Sequence, residues 1–226
     1  MSPPPSAPTS SRPCRALMSF TLLLAMLLLG APLWNRIVLT DVYGPRAPGL
    51  AAMWWPGPPQ LAPFELIAHH GNRLSENDLR GAWTLLFFGY TNCPDICPGT
   101  LALITRARAA LARDVAFDRA IKVLFVSVDA QRDTPEVLAR YVRYFDPGYL
   151  GATAPMETLH LLTRQLVADF AKVGGRAPDE YWFDHSASIF LIAPDLRVVG
   201  EFTPPLDANS LAAQIRNIVR FMSVHG

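Results

Sequence analysis

From Phe64 to the C-terminus, apolar runs of strand length alternate with longer stretches of helical spacing, and no repeat of fixed period is visible. Phe64 to Ile67 and Arg73 to Leu74 flank His70-Gly71-Asn72, a turn signal that predicts a hairpin. Trp83 to Gly89 and Ile121 to Val128 read as central strands buried on both faces. Helices are predicted over Thr100 to Ala112, Thr134 to Phe145 with Pro135 in its first turn, and Met156 to Val173, closed by Gly174 and Gly175. Ser188 to Ile192 and Val198 to Phe202 form two strands joined by a short turn, and Asp207 caps a last helix ending near Met222. Strand, helix, strand, helix, hairpin, helix is the order of a thioredoxin-like α/β domain, here with an added N-terminal hairpin.

The N-terminal quarter has a different pattern. No residue from Ala16 to Asn35 is charged, and this length crosses a bilayer core of ~30 Å at ~1.5 Å per residue. The expectation is one transmembrane helix; a cleaved signal peptide is the alternative, but Pro32 directly follows the small residues Gly30 and Ala31. Arg12 and Arg15 precede the run and Arg36 follows, which keeps the N-terminus cytoplasmic and exports the remainder. Twelve of the 21 prolines fall at or before Pro63, so the next stretch reads as a stiff linker, with Trp54 and Trp55 expected to begin packing on the domain. The expected organisation is residues 1–15 cytoplasmic, 16–35 anchor, 36–62 linker and 63–226 domain.

A formal net charge of +1 gives no electrostatic reason to propose a nucleic-acid partner, so function has to come from a local site. Of three cysteines, Cys14 stands alone before the apolar run, while Cys93 and Cys97 lie four apart. An exported thiol pair persists only as a disulfide, or where a metal or reductant protects it.

Tyr90-Thr91-Asn92-Cys93-Pro94-Asp95-Ile96-Cys97-Pro98 follows a buried strand and opens a helix, where free N–H groups and the helix dipole favour thiolate. Two thiolates are soft ligands that select Cu(I) or zinc. His185 is a candidate third donor, because it directly precedes a strand and strand ends gather at one rim. Asp184 beside it is a candidate to orient the ring, or to give an oxygen to oxidised copper. By itself such a pair is more often structural or a simple redox disulfide than a copper site, and a lone histidine before a strand is more often a core or turn residue than a ligand. His69, His70, His160 and His225 have no matching cysteine partner.

Three segments, FGYTNCPDICP, SVDAQRDTP and DHSASIFLI, resemble in order and spacing the marks of the Sco family of copper chaperones for cytochrome c oxidase. The resemblance runs from about Pro63 to Met222 and implies a thioredoxin-like fold. It implies that Cys93, Cys97 and His185 ligate copper, as Cu(I) and also as Cu(II). It further implies delivery to the dinuclear centre of oxidase subunit two, with another copper chaperone or a thioredoxin-like reductant as further partner. The expected location is a bacterial inner membrane, with the domain in the periplasm. Where the family usually has proline this chain has Ala130, away from every proposed ligand; Asp129 and Asp133 read as rim-shaping residues or as a cap and a solvated loop. The alternative function is a thiol–disulfide reductase that keeps the oxidase cysteines reduced. A peroxidase of the same fold wants Thr three residues before the reactive Cys, whereas Thr91 is two before Cys93.

Overall fold

The computed structural model describes residues 57–112, 121–174 and 180–225. The expected anchor, Cys14, most of the linker and Trp54 and Trp55 lie outside the described residues. Among the described residues no helix is long and apolar enough to cross a membrane.

Among the described residues, nine strands and four α-helices follow in chain order, with a 3-10 turn at Glu76–Leu79. The strands are β1 (Glu65–Ala68), β2 (Arg73–Ser75), β3 (Thr84–Gly89), β4 (Lys122–Ser127), β5 (Leu150–Thr153), β6 (Phe170–Gly174), β7 (Tyr181–His185), β8 (Ile189–Ile192) and β9 (Val198–Phe202). The helices are α1 (Ile96–Leu111), α2 (Pro135–Phe145), α3 (Met156–Gln165) and α4 (Ala208–His225). Seven strands form one sheet in the order β2-β1-β5-β4-β3-β8-β9, while β6 and β7 make a separate two-stranded ribbon. The parallel pairs β3·β4 and β4·β5 occupy its middle, and antiparallel β8 and β9 complete one side. The predicted hairpin is β1–β2, which reaches the sheet through β5.

Strand periodicity divides the core into two layers. Leu85, Phe87, Val123 and Phe125 face α1, α2 and α4, whereas Leu86, Phe88, Leu124 and Val126 face α3, the hairpin and the ribbon. Both central strands are therefore apolar at successive positions, which is why they read as continuous runs.

Two expectations are corrected. Helix α1 begins at Ile96 rather than Thr100; its first backbone bond runs from Gly99 N–H to the Asp95 carbonyl, so the N–H that Pro98 lacks has no intrahelical partner to lose. Helix α3 ends at Gln165, and after a turn over 166–169 the chain forms strand β6 instead of more helix. The stop is a Schellman-type cap in which Ala168 N–H bonds the Thr163 carbonyl at 2.9 Å while Val167 takes φ 52°. Glycine normally marks that position, and a valine there leaves no stop signal in the sequence.

Leu124 is wholly buried at the centre of the sheet. Leu124→Ala should lower unfolding free energy by about 2–5 kcal/mol, read from urea denaturation, and a loss below about 1 kcal/mol would contradict this packing.

Candidate metal centre

The parallel strands β3 and β4 end at the same rim, and each is followed by one of the sequence motifs. After β3 the chain turns through Tyr90 to Asp95 and enters α1, leaving Cys93 half-buried and Cys97 buried as free thiols. Asp95 makes no side-chain cap to this helix. Instead the Cys97 N–H faces the Cys93 sulfur at 3.4 Å, so a sulfur takes the place of the usual oxygen acceptor at the positive helix end.

Cys97 Sγ lies against the last residue of β3. A Cβ on Gly89 would stand 2.8 Å from that sulfur and 2.8 Å from Phe125 Cε2. The glycine is required by close approach rather than by backbone conformation. The signal for this position in the sequence is a glycine that closes a buried apolar run.

His185, expected directly before the strand that is β8, is itself the last residue of β7, a strand not predicted from the sequence. Alternation along β7 turns Tyr181, Phe183 and His185 inward and leaves Trp182 and Asp184 exposed. The imidazole meets Phe87 edge-on at 6.1 Å and Tyr90 at 5.9 Å between ring centroids. Its Nδ1 lies 3.0 Å from the Ser186 carbonyl, which only accepts, so Nδ1 holds the proton and Nε2 presents a lone pair. Ring orientation thus comes from Ser186 rather than Asp184, which acts through space by favouring the imidazolium. An open cavity of about 340 Å³ lies beside the ring.

Nε2 stands 3.3 Å from Cys97 Sγ, and the ligand atoms of Cys93, Cys97 and His185 all lie within 4.8 Å of one another. Donors bound at ~2.0–2.3 Å to a shared ion sit about 4 Å apart, so the three converge closely enough for one soft cation. Among the described residues this is the one such group of His, Cys, Asp and Glu.

Burial pushes the Cys97 thiol well above its ordinary pKa, reinforced by Cys93, so it is protonated at neutral pH. Burial also lowers the His185 pKa from 6.5, against the Ser186 bond and Asp184, which keeps Nε2 unprotonated. A neutral imidazole facing an undissociated thiol suits a cation that displaces the thiol proton.

His69 and His70 fall in the predicted turn, and His69 Nδ1 accepts from Gly151 N–H at 3.1 Å. His160 stacks on Phe170 at 4.4 Å. Both are structural positions. Asp133, read as a cap or loop residue, is wholly buried, and Thr134 caps α2 in its place.

Gly89→Ala should push the Cys97 sulfur from its seat. Titrating the reduced full-length protein with Co(II) and following thiolate charge-transfer absorption should show affinity reduced about tenfold or more, and unchanged absorption would contradict this geometry.

Residues 57–220 match the family described as SCO1/SenC. The mitochondrial SCO2 homologue of Bos taurus is 35% identical over 157 residues, covering 70% of this chain and 57% of that protein. The chain spans about half the length of the first mitochondrial relatives it matches, 57% and 55% for two of them. The copper-bound crystal structure of Arabidopsis thaliana ScoI superposes with TM-score 0.66 at 31% identity, over 72% of this chain and 99% of that one. BsSco, described as having a disulfide switch and as a member of the Sco family of cytochrome c oxidase assembly proteins, shares the fold at 21% identity and TM-score 0.56, over 72% of this chain and 95% of that one. With its thioredoxin-like architecture, its three motifs in place and these relatives, the chain belongs to the SCO1/SenC family.

Proposed function

We propose that this protein binds one copper ion as cargo through Cys93, Cys97 and His185, and supplies it during assembly of the dinuclear centre of cytochrome c oxidase. The observation that carries the reading is the approach of His185 Nε2 to Cys97 Sγ at 3.3 Å, with its tautomer set by Ser186. Two sulfurs and one nitrogen favour Cu(I), and the copper-bound Arabidopsis relative supports the choice of metal. Half-burial of Cys93 leaves one ligand open to an incoming donor, as transfer by ligand exchange requires. The apolar run 16–35 supports an anchored domain on the outer face of a bacterial inner membrane, facing subunit two of the oxidase.

A second reading is favoured by the unequal burial of the two thiols. In a thiol–disulfide reductase Cys93 would attack a partner disulfide, releasing one partner thiolate and forming a mixed disulfide. Cys97 would then attack the Cys93 sulfur, releasing the second partner thiol and leaving Cys93 and Cys97 joined, with two electrons passed to the partner. That chemistry has no use for His185.

Competition of the reduced full-length protein with a chromophoric Cu(I) chelator separates the two. The expected result is one copper per chain, with tight binding lost in His185→Ala while reduction of a model disulfide is retained. Unchanged copper affinity in that variant would remove the three-ligand centre and leave the reductase.

The proton balance gives a further expectation. Because Cys97 is protonated at neutral pH, copper binding has to expel its proton, so affinity rises with pH. Calorimetry in buffers of different ionisation enthalpy should read about one proton or more released per copper at pH 7. His185 acts in the same direction but only at lower pH, since its depressed pKa lets acid remove this ligand only below the ordinary imidazole value of 6.5.

A further inference from the structure

The copper reading leaves the second motif, Ser127 to Pro135, without a task. Residues 127–133 touch both arms of the centre. On the thiol side, the buried Asp133 carboxylate accepts from Thr91 N–H at 2.9 Å and from the Thr91 and Ser127 hydroxyls, two residues before Cys93. On the imidazole side, Arg132 pairs with Asp129 through Nε and donates from Nη1 to the Tyr181 carbonyl at 3.2 Å. Its guanidinium lies 3.7 Å from the Tyr181 ring centroid, and the Tyr181 hydroxyl donates to Asp129 at 2.9 Å.

Tyr181 opens β7 and His185 closes it. Among the described residues β7 pairs only with β6, and the ribbon joins no strand of the main sheet. No backbone ladder of its own therefore fixes where His185 stands relative to α1; the short link to Ile189, which pairs with Phe87, tethers this end, and side-chain contacts complete the placement. One is Phe183 against Tyr90, at 5.6 Å between ring centroids. Arg132 supplies the grip at the other end of the strand, with a carboxylate, a carbonyl and a ring held by one planar fork, which a lysine cannot reproduce.

We propose that Arg132 is a positioning residue of the centre, holding Tyr181 so that strand β7 delivers His185 to Cys97. The inference rests on the copper reading above, and it concerns the reach of the imidazole rather than the thiols.

The test is a double-mutant cycle on the full-length protein, with Cu(I) affinity measured for wild type, Arg132→Gln, His185→Ala and the double variant. Arg132→Gln should weaken binding about tenfold when His185 is present. Once His185 is gone, the same change should cost less than about twofold. In the metal-free protein, Arg132→Gln should also shift the ¹⁵N signals of the His185 ring, a signature that a general loss of stability does not produce. Equal losses in both backgrounds, or no loss in the first, would overturn the proposal. If His185→Ala alone leaves affinity unchanged, the copper reading falls separately and the ring signals decide: moved, Arg132 still sets the imidazole; unmoved, it does not. Should Arg132→Gln fail to fold, Tyr181→Phe removes only the hydroxyl bonds to Asp129 and Gln131 and enters the same cycle, where equal losses again overturn it.

Discussion

The sulfur of Cys97 is buried in the apolar layer between α1 and the end of β3, and its neighbours are shaped around it. Gly89 lacks a side chain at the one place where a Cβ would overlap that sulfur. Leaving an ionised group in such surroundings without a partner costs several kcal/mol, so the thiol keeps its proton until a cation, or the Cys93 sulfur, arrives to take its electrons. Cys97 is consequently a poor first nucleophile. It is well suited to be a ligand or a resolving thiol.

His185 is prepared in the complementary sense. Its proton sits on Nδ1 against Ser186, its ring is held between Phe87 and Tyr90, and burial disfavours the imidazolium. The lone pair of Nε2 therefore already points at Cys97, and in the metal-free protein it can accept the thiol proton as a hydrogen bond. A cation bound as proposed would replace that proton between the same two atoms. Little reorganisation is needed, because ring orientation and tautomer are set before binding.

Much of this was legible in the sequence. Continuous apolar runs located β3, β4 and β8, because strands buried on both faces have no polar side to interrupt them. The C-x-x-x-C spacing placed both thiols at a helix entrance, since strand, turn and helix there are local events. The ribbon was not legible. Its first strand follows a helix whose stop depends on Val167 adopting a left-handed conformation that valine rarely takes, so the helical pattern reads on to Val173. The role of Asp133 was hidden for another reason: its partner Thr91 lies 42 residues away, and only the parallel pairing of β3 with β4 brings the two motifs together. Contacts of that range leave no local trace.

Two adjacent residues in this hidden loop pull on opposite arms of the centre. Asp133 draws in the turn that carries Cys93, while Arg132 draws in the strand that carries His185. The thiol arm is rigid by descent from the main sheet, through β3 on one side and α1 on the other. Among the described residues the imidazole arm has no such ladder to the main sheet, and Arg132 and the aromatic contacts around Tyr90 help hold it in place. With both anchors on consecutive residues, the distance between sulfur and nitrogen is referred to one short piece of backbone at the end of β4. The division between sheet and ribbon thus seats the two sulfurs on the main sheet and leaves the imidazole to be placed by the loop that follows β4.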